Sequence, residues 1–145
     1  MEKEQNITGA ITLKFKIYFT NWINVVGIAT GTYLFVIISE VLKTGISALP
    51  QLLIMVLLTI VLYGGVFFTG LLIGMLLLDL ILMNHNTKHL RLKLIIEWAV
   101  ISAPLTYWLV IYSEWIFLTA VICFFIAQLI REKRILKLLA QTGLR

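Results

Sequence analysis

The stretch from Leu52 to Met83 runs for thirty-two residues with a single formally charged member, Asp79, one turn before its end. A helix needs roughly 20 residues to cross a ~30 Å hydrocarbon core, so this run exceeds one crossing and falls short of two. It therefore predicts a membrane helix with length to spare, absorbed by tilt, by a bend at Gly64-Gly65, or by protrusion of the last turns around Asp79. No other segment constrains the fold as strongly.

Three further apolar runs supply its neighbours. The first spans about Tyr18–Leu42, behind a short polar arm (residues 1–16) that becomes alternately apolar and basic through Ile11, Leu13, Lys14, Phe15 and Lys16. The third is Leu94–Tyr112 and the fourth Trp115–Ile130, separated only by Ser113-Glu114, which leaves room for a tight turn. Tyr107, Trp108, Tyr112 and Trp115 cluster around that turn, as expected where two helices reach one water interface. The fold class implied is all-α: an integral membrane bundle of four transmembrane helices in one domain, continued by an amphipathic basic tail over residues 131–145. With 61% hydrophobic and 13% charged residues, the composition lies outside the range of soluble domains.

The distribution of basic residues sets an orientation. Of the twelve Lys and Arg, only Lys43 falls in the loops that would face outward if both termini are cytoplasmic. That bias follows the positive-inside rule at every loop and argues against a dual-topology protein. The net charge of +5 thus reads as topology and lipid-headgroup contact, with no nucleic-acid partner. The N-terminus carries Glu2 and Glu4, no arginine and no small-residue cleavage site, so neither a signal nor a transit peptide is expected. The lone Cys123 lies in an apolar run and reads as a small core residue.

Two GxxxG motifs mark close helix approaches, Gly27 to Gly31 in the first span and Gly70 to Gly74 in the second. Gly27 and Gly74 each lie about 14 Å from the cytoplasmic end of their helices at 1.5 Å per residue, so the two grooves are expected to face one another. A homodimer seam is the other possibility. Thr20, Asn24, Gly27 and Gly31 share a face; Asn24 in hydrocarbon needs a partner, which makes the face interhelical glue or a polar track for a solute. Glu40 is expected to pair with Lys43 three residues on. Asp79 and Glu97 flank the second loop, where Lys88, Arg91 and Lys93 are expected to snorkel toward them; proton or cation handling is the alternative.

The four-residue spacing of His85 and His89 resembles half of a zinc site, but Asn86 occupies the place of the glutamate in HExxH and no further ligand lies nearby, so no metal or cofactor is expected. Arg131, Lys133, Arg134 and Lys137 are expected to meet anionic headgroups while Ile135, Leu136, Leu138 and Leu139 lie on the bilayer. Pro104 is expected to kink the third helix, with Ser102 and Thr106 near the carbonyl it frees.

No GxSxG, HExxH, clustered acids on one helix or phosphate-binding glycine loop is present, which disfavours an enzyme. Two classes remain. One is a non-catalytic accessory, regulatory, immunity or assembly factor whose partners are the bilayer and another membrane protein or a second copy. The other is a small oligomeric transporter or flippase. The Tyr63-Gly64 pair, Asp79, the short basic loop and the two closely spaced helices resemble small uncharacterised four-helix integral membrane proteins of Gram-positive bacteria. That resemblance implies a bacterial plasma membrane and supplies no activity. In size the chain is also similar to small multidrug resistance transporters, although their central carboxylate has no counterpart, Glu40 being near a helix end. In plan it is similar to the small lipid-linked-sugar flippases, whose terminal aromatic pattern it lacks.

Overall fold

The computed structural model describes residues 2–62, 64–83 and 89–141, with side chains for 11–62, 64–82 and 89–141. Tyr63, His85 and Lys88 therefore lie outside the described residues. All regular structure within them is helical: α1 (Glu2–Phe19), α2 (Trp22–Thr44), one 3-10 turn (Ile46–Ala48), α3 (Leu49–Leu62), α4 (Gly64–Met83), α5 (Leu90–Tyr112) and α6 (Trp115–Gln141). Four stretches are long and apolar enough to cross a membrane: Ile11–Thr44, Gly64–Leu82, Leu90–Tyr112 and Trp115–Gln141.

Several boundaries differ from the sequence expectation, among them the start of α5 at Leu90, one turn before Leu94. The polar arm is helical and runs almost continuously into the first span. Only Thr20 and Asn21 interrupt it, and there the ladder shortens to i→i−3 bonds, with Thr20 N–H on the Ile17 carbonyl at 3.0 Å and Asn21 N–H on Tyr18 at 3.1 Å. Thr and Asn compete with the helix ladder through their own side chains, and the Thr20 hydroxyl donates to the Ile17 carbonyl at 2.5 Å. The long run comprises α3, described to Leu62, and α4, described from Gly64, on either side of Tyr63, which lies outside the described residues. The fourth span continues without a break to Gln141, so the basic tail is the last third of α6.

Around the bundle the order is α2, α6, α5, α4, with α4 returning to α2 and α3 lying outside against α2 and α4. Contacts at opposing levels make each of the four long helices antiparallel to its neighbours. On α2, Gly27 meets Ala127 of α6 and Gly31 meets Cys123. On α5, Trp98 donates its indole N–H to the Val121 carbonyl of α6 at 3.2 Å, and Trp108 stacks on Phe117.

Two apolar layers fill the interior. One joins Leu13 and Ile17 of α1 to Leu90 and Leu94 of α5 and Ile135 and Leu139 of α6. This corrects the expectation that Ile135 and Leu139 rest on the bilayer: they cover α1 and α5 instead, and Leu136 is the exposed one. The other layer is built from Ile28, Leu71, Met75, Leu105, Ala120 and Phe124.

The facing of the two GxxxG grooves is also corrected. The α2 groove receives α6, because Cys123 and Ala127 are small and lie four residues apart on the opposing helix; a Cβ on Gly27 would come within 2.8 Å of the Ala127 Cβ. Gly70 faces open space, and a Cβ on Gly74 would lie 3.4 Å from the Ile101 side chain of α5. What α4 turns toward α2 is Leu71 and Met75, too bulky for a glycine groove. Pro104 sits inside an otherwise continuous α5, and the Thr106 hydroxyl donates to the Ser102 carbonyl at 2.9 Å.

These packing differences give opposite outcomes for two glycines. Gly31→Leu drives a side chain into Cys123 and should cost about 1–3 kcal/mol of stability, the usual range for overpacking. Gly70→Leu should leave the thermal midpoint in mild detergent nearly unchanged.

Candidate functional site

Arg131 of α6 is completely buried, as are Asp79 of α4 and Glu97 of α5. The position follows from the apolar stripe of α6, on which Ala120, Phe124, Ala127, Gln128, Arg131, Ile135 and Leu139 are the buried residues. Arg131 lies four residues from Ala127 and four from Ile135, so helical periodicity points it inward. This overturns its expected place among the lipid headgroups. Lys133, Arg134 and Lys137, on the other faces of the same helix, are exposed as expected.

The guanidinium joins four helical segments. Its Nη1 donates to both Glu97 oxygens, at 3.0 Å to Oε1 and 2.7 Å to Oε2. Its Nη2 donates to Asp79 Oδ2. Its Nε donates to the Thr20 hydroxyl at 3.0 Å, at the break between α1 and α2. The planar fork of arginine allows these bonds to be made together, which a point-like ammonium could not do. Asn21 adds a second donor to Asp79 Oδ2 at 2.6 Å, and Asn24 donates to Asn21 Oδ1 at 3.4 Å and to Met75 Sδ at 3.5 Å. Thr20, Asn21, Asn24 and Gln128 are all buried here, Gln128 beside Glu97.

The polar face of α2 is therefore interhelical glue, with Thr20 and Asn21 as its principal members. Asp79 and Glu97 do pair with a cation, but that cation is Arg131. Of the loop cations expected there, Arg91 is exposed, Lys93 is half-buried one turn before Glu97, and Lys88 lies outside the described residues. Glu40 pairs with Lys43 at 2.7 Å, in the expected place and exposed to the surroundings. His89 opens α5 in the left-handed conformation with φ 60° and is exposed, while His85 lies outside the described residues.

The cluster is sealed on both sides. Toward the α5–α6 turn lie Ile28, Met75 and Phe124, each at most 1% exposed. Toward the other end lie Ile17, Leu94 and Ile135, between 0% and 4% exposed. Beyond the first of these layers an apolar cavity of about 350 Å³ opens among α2, α3, α4, α5 and α6, walled by Thr32, Ile60, Phe67, Phe68, Trp108 and Phe117. No polar channel connects it to the charges among the residues that line it.

A buried guanidinium shared by two carboxylates can hold four helices in register, because loss of the guanidinium strands both carboxylates in a low-dielectric interior. No protein-family model, curated protein or solved structure matches the chain. Among its described residues the chain is all-helical, with four helices long and apolar enough to span a membrane, closed around an internal ion cluster.

Arg131→Met, which leaves both carboxylates without their cation, should destabilise the fold by about 3–5 kcal/mol. The triple substitution Asp79→Leu, Glu97→Leu, Arg131→Met should recover most of that loss, because an apolar core of similar volume replaces a complete buried network at little cost. Thermal unfolding of the purified variants in one detergent measures both.

Proposed function

We propose that the chain is a multi-pass protein of a bacterial plasma membrane, with both termini cytoplasmic, that acts without catalysis as an accessory, regulatory, immunity or assembly factor through helix contacts. The observation that carries this reading is the division of labour among the helices. The buried polar groups are committed to an internal cluster, whereas α3 has no buried residue at all. Ile54, Leu58 and Val61 form one stripe of α3 and are 63%, 53% and 62% exposed. Among the described helices α3 packs chiefly on α2 and α4. It is the element of the bundle best suited to receive another membrane helix.

The orientation rests on the positive-inside bias, in which eleven of twelve basic residues fall on one side. The α5–α6 turn, with Tyr112 and Trp115, is then the outer interface. Arg131 follows Trp115 by sixteen residues and Glu97 precedes Tyr112 by fifteen, about 22–24 Å of helix. The cluster so placed lies in the cytoplasmic third of the hydrocarbon core rather than at its edge. A small oligomeric transporter or flippase is the second reading, favoured by the lateral apolar cavity; the apolar seals on both sides of the charges weigh against it.

A photo-crosslinking residue at Leu58 of α3, compared with one at Ile126 of α6, tests the first reading in cells making the full chain. The expected result is one stoichiometric heterologous membrane partner captured from position 58 and not from position 126. Capture of a second copy alone would move the assignment to an oligomeric carrier.

A further inference from the structure

The charge count of the cluster does not close. One guanidinium faces two carboxylates, so with every group ionised the sealed interior would carry one net negative charge, which hydrocarbon surroundings penalise heavily. The hydrogen bonds differ between the two acids in a way that says where compensation fits. Both oxygens of Glu97 accept from Arg131. Asp79 accepts from Asn21 and from Arg131 on the same oxygen, Oδ2, and its Oδ1 is buried with no hydrogen-bond partner. A proton on Glu97 would displace an existing bond, whereas a proton on Asp79 Oδ1 would displace none.

On the α6 side Gln128, 4% exposed, lies beside Glu97, a neutral amide that adds no charge to the cluster. Around Asp79 the facing charged groups are Arg131 from α6 and Glu97 from α5. From α2 come only the neutral Asn21 and Asn24, and α3 contains no titratable residue. Among the described residues, Arg131 is the one cation hydrogen-bonded to either carboxylate.

We propose that the Asp79–Glu97–Arg131 cluster is a proton-binding site, with the proton on Asp79 Oδ1 and the loaded cluster electrically neutral. The step is a simple protonation: one proton is taken from water, one O–H bond forms, and no other bond changes. The inference goes beyond a role in helix contacts and does not depend on which partner the protein has. Since the folded chain then holds one proton that exposed carboxylates lack at neutral pH, its stability falls as pH rises.

Asp79 is the sole aspartate among the 145 residues, so aspartate labelled with carbon-13 at the side-chain carboxyl reports on this group alone. With the full chain in lipid nanodiscs, the labelled carboxyl is followed by infrared absorption and carbon-13 NMR. The expected result is a protonated carboxyl at neutral pH, close to one proton per chain, lost reversibly as pH is raised. In Glu97→Gln the guanidinium faces a single carboxylate, and Asp79 should become ionised at neutral pH, its proton occupancy dropping toward zero. An ionised label in the wild-type chain overturns the proposal, whether the protonated signal then belongs to a glutamate or sodium ions alter the spectrum in its place. A label that stays protonated in folded Glu97→Gln overturns the charge argument. The wild-type measurement decides the matter even if that variant does not fold.

Discussion

One guanidinium answering to two carboxylates is the constraint on which this bundle depends. In hydrocarbon the apolar faces of helices gain nothing by meeting each other that they would not gain from lipid, so packing and polar bonds must set the arrangement. Arg131 bonds simultaneously to Thr20 at the α1–α2 break, to Asp79 on α4 and to Glu97 on α5. Sliding any of these helices by one turn would take a carboxylate about 5.4 Å from its only cation. The network contributes register more than net stability, the role best attested for buried ionic groups. The other local features follow from it: Thr20 and Asn21 leave the helical ladder where their side chains are needed, and Met75 and Phe124 close the chamber above.

Much of this was legible in the residues, and the misses have physical causes. The Ser113-Glu114 turn and the Glu40–Lys43 pair depend on local sequence, and each lies where the sequence places it. The α2 glycines form a seam, but a GxxxG motif encodes only a groove; its partner is decided by whichever helix offers small residues at the same spacing, here Cys123 and Ala127. Arg131 was misplaced because it opens a run of cations just past the last apolar stretch, where charge density speaks for an interface. The contrary signal was periodicity: Ala127, Arg131, Ile135 and Leu139 recur every four residues and all face inward. For one helix, the phase of the apolar stripe was a better guide than the local density of charge.

The long run teaches a related lesson. Hydropathy alone makes Leu52–Met83 one helix too long for the bilayer. Its first half, α3, is a stretch that the bundle does not bury. The cavity walled by Phe67, Phe68 and Trp108 lies where α3 and α4 meet α2, α5 and α6.

The order of the cluster along the chain bears on how such a protein is made. Asp79 and Glu97 precede their cation by 52 and 34 residues. A chain inserted as it is synthesised would present two acidic groups to the bilayer before Arg131 has left the ribosome, and its first three spans would hold stranded charges until the last one arrives. Completion of α6 thereby becomes a condition for a settled membrane domain. A product truncated before residue 131 would carry its own mark of incompleteness, two unneutralised carboxylates that membrane quality control can recognise without reading any other feature of the sequence.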